Sequence, residues 1–155
     1  MNWRRKSGEV TRVGRVFDFM AYKYRNTGIP SKTVYYVSDH GIYTPLLQSF
    51  PFLNAFDLRT QRDLRQTIKE RSPEMMLIEA SIHLEDPFAL IQSISEDFSP
   101  PIILLAEPHF ATKKNLKKAF SVGVSDTLRL PLERDELLKA IEVLFRIQLQ
   151  ASLYQ

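Results

Sequence analysis

PEMMLIEASIHLEDPFAL, residues 73–90, joins a hydrophobic run to a polar turn and then to a new amphipathic segment. Met75–Ile78 is short, apolar and unbroken, which fits a strand buried on both faces of a sheet. Glu79 ends the run. A carboxylate at the carboxyl end of a central parallel strand stands where open α/β sheets carry their chemistry. Fold and function therefore both turn on what surrounds this residue.

Strands and helices alternate on either side of it. Upstream, Thr33–Val37 (TVYYV) is a β-branched and aromatic run, followed by Ile42, Tyr43, Leu46, Leu47 and Phe50 at helical spacing. Asn54–Leu58 reads as a weak edge strand, and Gln61–Arg71 as a charged helix carrying Leu64 and Ile68. Downstream, Ile91, Ile94 and Phe98 mark a helix, and Ile102–Leu105, after two prolines, is the clearest fully buried strand. Leu116, Ala119 and Phe120 mark the next helix, closed by Gly123. Thr127–Leu130 is a short fifth strand, and Glu133–Leu149 a long helix with Leu137, Leu138, Ile141, Leu144 and Phe145 inward. Five such βα units predict a parallel sheet of order 2-1-3-4-5 with helices on both faces, because crossovers are right-handed.

The 155 residues suffice for one full-sized core and are short for two. Without cysteine the chain has no disulfide, thiolate metal site or cysteine nucleophile. No run approaches a membrane span, and no apolar stretch follows the basic start MNWRRKSGEV, so a cytoplasmic protein is expected. The net charge of +3 is uneven: residues 1–32 hold eight Lys or Arg against two acids, and the rest is mildly acidic. Three parts are expected: a basic amphipathic helix and linker over 1–32, an α/β domain over 33–150, and a tail over 151–155. In the first, Val13, Val16, Phe17, Met20 and Tyr24 form a helical stripe, and Gly28 and Pro30 mark the linker.

The strand ending in Glu79, the strand PIILLAE and the ending LPLERDELLKAI resemble bacterial response-regulator receiver domains over residues 33–150. The resemblance implies a flavodoxin-like, receiver-type fold and a role in two-component signal transduction. Receivers transfer a phosphoryl group to their own Asp. They need a carboxylate nucleophile, acids holding a divalent cation, and donors that neutralise the phosphoryl oxygens. In this chain the nucleophile position is Glu79. The acidic pair after the first strand is Ser38 and Asp39, the hydroxyl position is Ala106, and the Lys position before Pro131 is Leu130. The aromatic that moves on phosphorylation falls at Thr127, the turn proline at His83, and Asp86 matches the acid usual there. Losing one preorganised oxyanion donor costs about 3–4 kcal/mol of transition-state stabilisation, and here two have become alkyl groups. Arg129 is no evident substitute, since neighbouring strand residues point to opposite faces.

Glu79 has two readings. It either mimics an aspartyl phosphate or is a polar residue that drifted into a solvated strand end; Ala106 and Thr127, which would have to read the mimic, favour drift. Asp39 and Glu79, with Glu107 and Asp86, offer oxygen ligands for Mg²⁺, against which stands the missing acid at Ser38. His40, His83 and His109 each follow an expected strand, but scattered loop histidines are poor evidence for a metal site. No cofactor is expected beyond this possible Mg²⁺, and no enzymatic activity.

Function is then expected on a surface. The resemblance implies a signalling and dimerising face built from the fourth helix, fifth strand and fifth helix; here it would carry Lys113, Lys114, Lys117 and Lys118 opposite acids such as Glu133, Asp135, Glu136 and Glu142, a mixed patch suited to a self-complementary dimer or simply solvated. The stripe of Val13, Phe17 and Met20 needs a partner: the domain itself, a second copy, a lipid surface or another protein. The first reading is a pseudo-receiver, a phosphorylation-independent interaction and dimerisation module whose partner is itself or another signalling protein. No nucleic acid is expected, and an output module in a longer chain is possible. The alternative is a divergent working receiver using Glu79 with Mg²⁺ at Asp39. A third class, a flavodoxin-like small-molecule or enzyme domain, is weakened by the lack of a Gly-rich phosphate loop.

Overall fold

The computed structural model describes residues 31–59, 61–80, 86–97 and 100–153. Five strands, β1 (Lys32–Val37), β2 (Leu53–Leu58), β3 (Met75–Ala80), β4 (Ile102–Ala106) and β5 (Asp126–Arg129), form one parallel sheet of order β2-β1-β3-β4-β5. Between and after them lie α1 (Thr44–Gln48), α2 (Gln61–Glu70), α3 (Pro87–Asp97), α4 (Lys113–Ser121) and α5 (Arg134–Leu153). Every residue of β1, β3 and β4 is buried, as central strands covered on both faces must be. β2 and β5 lie at the edges and are only partly covered.

Strand alternation divides the interior into two cores. Val34, Tyr36, Met75, Leu77, Ile103 and Leu105 pack beneath α1 and α5 with Leu47, Leu137, Ile141 and Phe145. Tyr35, Val37, Met76, Ile78, Ile102 and Leu104 pack with Leu64, Ile68, Ile91, Ile94 and Ala119 of α2, α3 and α4. Local chemistry sets the helix ends. Asp86 Oδ1 accepts from the Phe88 and Ala89 N–H groups at the start of α3, and the Thr112 hydroxyl accepts from Asn115 N at the start of α4. Gly123, at φ +118°, turns the chain out of α4 where a Cβ would strike the Ser95 side chain.

Several boundaries differ from those the sequence predicts. β1 starts one residue earlier, β3 runs two residues further so that Glu79 lies inside it, and α5 extends to Leu153. Strand β5 ends at Arg129, which leaves Leu130 outside it. The spacing from Ile42 to Phe50 overstates α1, which has only five residues. Pro45 stands at its start and Pro51 follows Phe50, so prolines limit the helix at both ends. Ile42 precedes the helix and is 64% exposed. Phe120, expected inward, is also largely exposed, whereas Ala119 beside it fills the core. Phe98, His83 and the N-terminal stripe of Val13, Phe17 and Met20 lie outside the described residues.

Leu77, fully buried at the centre of the sheet, is the test of this packing. Leu77→Ala is expected to cost about 2–5 kcal/mol in urea unfolding, whereas Ile42→Ala should stay within about 0.5 kcal/mol of the parent.

Candidate functional site

The carboxyl ends of β1, β3 and β4 meet around Glu79. Register places Glu79 opposite Leu105 and Tyr36 opposite Leu77. Residues 75, 77 and 79 share a face of β3, so the carboxylate joins the side that carries Tyr36 and the α1/α5 core. The premise of a solvated strand end does not hold: Glu79 is only 3% exposed.

Both carboxylate oxygens have donors. The Tyr36 hydroxyl donates to Oε2 at 2.7 Å, and His40 Nε2 lies 2.8 Å from Oε1. Backbone geometry fixes the imidazole tautomer. Ile42 N–H donates to His40 Nδ1 at 3.1 Å, so Nδ1 is an acceptor, the ring is neutral, and Nε2 carries the proton given to Glu79. The buried charge is thus held by two neutral donors. Burying a carboxylate costs several kcal/mol, and hydrogen bonds to a charged group return about 1.5–3 kcal/mol each. Two such bonds bring the site near balance, and loss of either leaves it in deficit.

The β1–α1 loop is shaped to aim His40 inward. Gly41 N–H donates to the Ser38 hydroxyl at 2.8 Å, and Thr44 N–H donates to the Gly41 carbonyl. Gly41 has φ +65°, and a Cβ there would collide with the Asp57 and Arg59 side chains, which pair with each other at 2.9 Å. Ser38, at the position of the missing acid, is buried and serves this turn; Asp39 is exposed, and its carbonyl accepts from Arg59 Nη1. Across the site, the Tyr43 hydroxyl accepts from Leu132 N–H at 3.1 Å and its ring lies 6.5 Å from that of Tyr36. This ties the β1–α1 loop to the segment after β5.

The remaining expected positions are apolar or turned elsewhere. Leu130 is buried in the same core as Tyr36, and the Leu130–Pro131 peptide is cis. Ala106 ends β4, 1% exposed, and Thr127 is partly buried. Arg129 is exposed beside buried Leu130, as alternation requires. Asp86 is occupied in capping α3, and Glu107 lies 3.3 Å from His109. Among the described residues no group of three His, Asp or Glu side chains is arranged to hold a metal ion. The structure therefore brings Glu79 together with Tyr36 and His40, neither of which sequence reasoning placed at the site. Tyr36 was legible in principle, because residues 34, 36 and 38 share the face on which Glu79 falls; the inward turn of His40 was not.

Burial pushes the Tyr36 hydroxyl well above the ordinary tyrosine range, and its hydrogen bond to Glu79 adds to the shift. A tyrosine raised on folding stabilises the protein fully below its unfolded pKa of about 10, and that contribution is lost as pH rises above it. Denaturation at pH 7 is expected to show Tyr36→Phe destabilised by about 1–3 kcal/mol, since a buried carboxylate loses a donor. Above pH 10 the two proteins should converge by about 1.4 kcal/mol per pH unit.

Neither a protein-family sequence model nor a curated protein sequence matches the chain. Solved structures do. The signal receiver domain of an HD domain-containing protein from Pseudomonas fluorescens Pf-5 superposes with a TM-score of 0.68 at 22% identity, over 77% of this chain and 98% of that one. The Francisella response regulator 1452 receiver domain gives 0.66 at 15% identity, over 76% and 99%. NtrX from Brucella abortus gives 0.69 at 16% identity, over 80% of this chain but 28% of the longer NtrX chain. At these identities the likeness is one of architecture: residues 32–153 have the receiver-type, flavodoxin-like fold.

Proposed function

We propose that the chain is a pseudo-receiver: a two-component signalling module that works without phosphorylation, through protein–protein contact. The observation that carries this reading is the closed state of Glu79, 3% exposed with Tyr36 on one oxygen and His40 on the other. A nucleophile must present a lone pair to an incoming phosphoryl group, whereas this carboxylate is buried and each of its oxygens already faces a donor. Ala106 and Leu130 supply no donor for the transferred group. The same engagement weighs against Glu79 as a ligand for Mg²⁺ with Asp39, and against a phosphomimic whose charge a partner would read.

The contact surface we assign is the α4–β5–α5 face. Lys113, Lys114, Lys117 and Lys118 of α4 are exposed, as are Glu133, Asp135 and Glu136 at the start of α5. Phe120, 49% exposed, supplies an apolar anchor among the lysines. Charges of both signs on one patch suit a two-fold dimer in which the basic helix of one copy meets the acidic turn of the other. No helix among the described residues is long and apolar enough to cross a membrane.

Incubation with a small-molecule phosphodonor and Mg²⁺ is expected to leave the intact mass unchanged; an added phosphoryl group that disappears in Glu79→Gln would instead establish the working receiver. In light scattering, a dimer should weaken at least tenfold in Lys117→Glu and recover in the double variant Lys117→Glu, Glu136→Lys. A salt-independent monomer would refute the assigned face.

A further inference from the structure

The sheet ends on one side in β5, part of the face assigned above, and on the other in β2. Backbone bonds show which groups of β2 look outward. Lys32 N–H donates to the Phe52 carbonyl and Ser38 N–H to the Leu58 carbonyl. Peptide groups alternate along a strand, so residues 52, 54, 56 and 58 bond toward β1, and 53, 55 and 57 turn their N–H and C=O groups away from it. Leu53 N–H is satisfied by the Phe50 carbonyl. Among the described residues, the backbone groups of Ala55 and Asp57 have no backbone partner.

The strand also lacks the devices that guard an edge. LNAFDL contains no proline or lysine, and its register with β1 runs without a bulge. Its one charge, on Asp57, is neutralised by Arg59 at 2.9 Å. Phe56 stands on this edge 38% exposed, its ring edge-on to Tyr35 at 5.9 Å and 5.8 Å from the Arg71 guanidinium.

We propose that the edge of β2 binds a second copy of this chain, whose own β2 adds to it antiparallel with the two-fold axis at Phe56. Self-complementarity selects this occupant. Ala55 of each copy falls opposite Asp57 of the other, and each such pair exchanges both of its backbone bonds, which satisfies the outward groups. Phe56 meets its own counterpart as a non-hydrogen-bonded pair. Side chains approach most closely there, with Cβ atoms about 4.5–5.5 Å apart, and aromatic pairs stabilise the sheet. Moving the axis to Ala55 or Asp57 would set Phe56 against Asn54 or Leu58 and lose that pair. A six-residue strand covers less than the roughly 1,200–2,000 Å² of a standard interface, so the contact forms at high protein concentration. It leaves the β5 edge untouched and is independent of how Glu79 and α4 are read.

The chain has no native cysteine, so disulfide capture reports the register. Non-hydrogen-bonded antiparallel partners lie about 4.5 Å apart at Cα, within disulfide reach. In the full chain at high concentration, Phe56→Cys is expected to form a covalent dimer at least ten times faster than Ile42→Cys, although Ile42 is the more exposed at 64%. A mixture of Asn54→Cys and Leu58→Cys, which keeps Phe56, should give the mixed dimer in preference to either homodimer, because an axis at Phe56 pairs 54 with 58. Ala55→Pro removes an outward N–H and leaves the bonds to β1 in place. With circular dichroism unchanged, it should slow capture of Phe56→Cys at least tenfold. Three results would each overturn the proposal: capture of Phe56→Cys no faster than Ile42→Cys, homodimers favoured over the mixed 54–58 dimer, or capture indifferent to Ala55→Pro.

Discussion

The carboxylate of Glu79 is the constraint around which the carboxyl end of the sheet is built. A charge so little exposed to water must find donors within the fold, and no cation occupies the neighbouring strand-end positions 106 and 130. Tyr36 and His40 meet the need as neutral donors. Each then requires support. The Tyr36 ring sits in the α1/α5 core, and His40 is held by the Ile42 amide on a loop that only Gly41 can turn. The shape of the β1–α1 loop follows from one buried charge.

That arrangement separates the architecture of a receiver from its chemistry. Phosphoryl transfer depends on donors poised for charge that develops in the transition state. In this site the donors are already spent on the resting carboxylate, and Leu130 packs as core. Two costs therefore fall together: breaking bonds worth about 1.5–3 kcal/mol each and lacking the oxyanion donors worth about 3–4 kcal/mol each. Both act on the same step, and together they are the physical ground for the phosphorylation-independent role proposed above.

The legible parts of the sequence were those governed by burial on two faces. TVYYV, MMLI and IILL have no polar interruption, so their strand character and central position followed from composition, and the strand order followed with them. Where two rules competed, the sequence misled. Helical spacing from Ile42 to Phe50 was real, but Pro45 and Pro51 set the limits of α1, and Phe120 had the right period on the wrong side of α4. The site was half legible. Motif and strand ends identify positions 38, 79, 106 and 130, but a charge at a strand end reads as solvated, and Glu79 is buried. The error lies in side-chain length: glutamate reaches back to a tyrosine on the neighbouring strand, and no one-dimensional pattern encodes that reach.

The unequal helices on the two faces bear on what the module is for. A strand-end site used for catalysis needs loops that can open and close around a substrate. Here Tyr43 bonds Leu132, Arg134 bonds Ser49 and stacks 4.4 Å over Phe50, and the β1–α1 loop is tied both to β3 and to the start of α5. Cross-links of this kind resist the local opening that chemistry requires, but they suit a scaffold whose surfaces must hold still. The exposed side chains of α4, its four lysines and Phe120, lie away from these ties. Stiffness at the strand ends and an exposed surface of mixed charge elsewhere support the binding role proposed above.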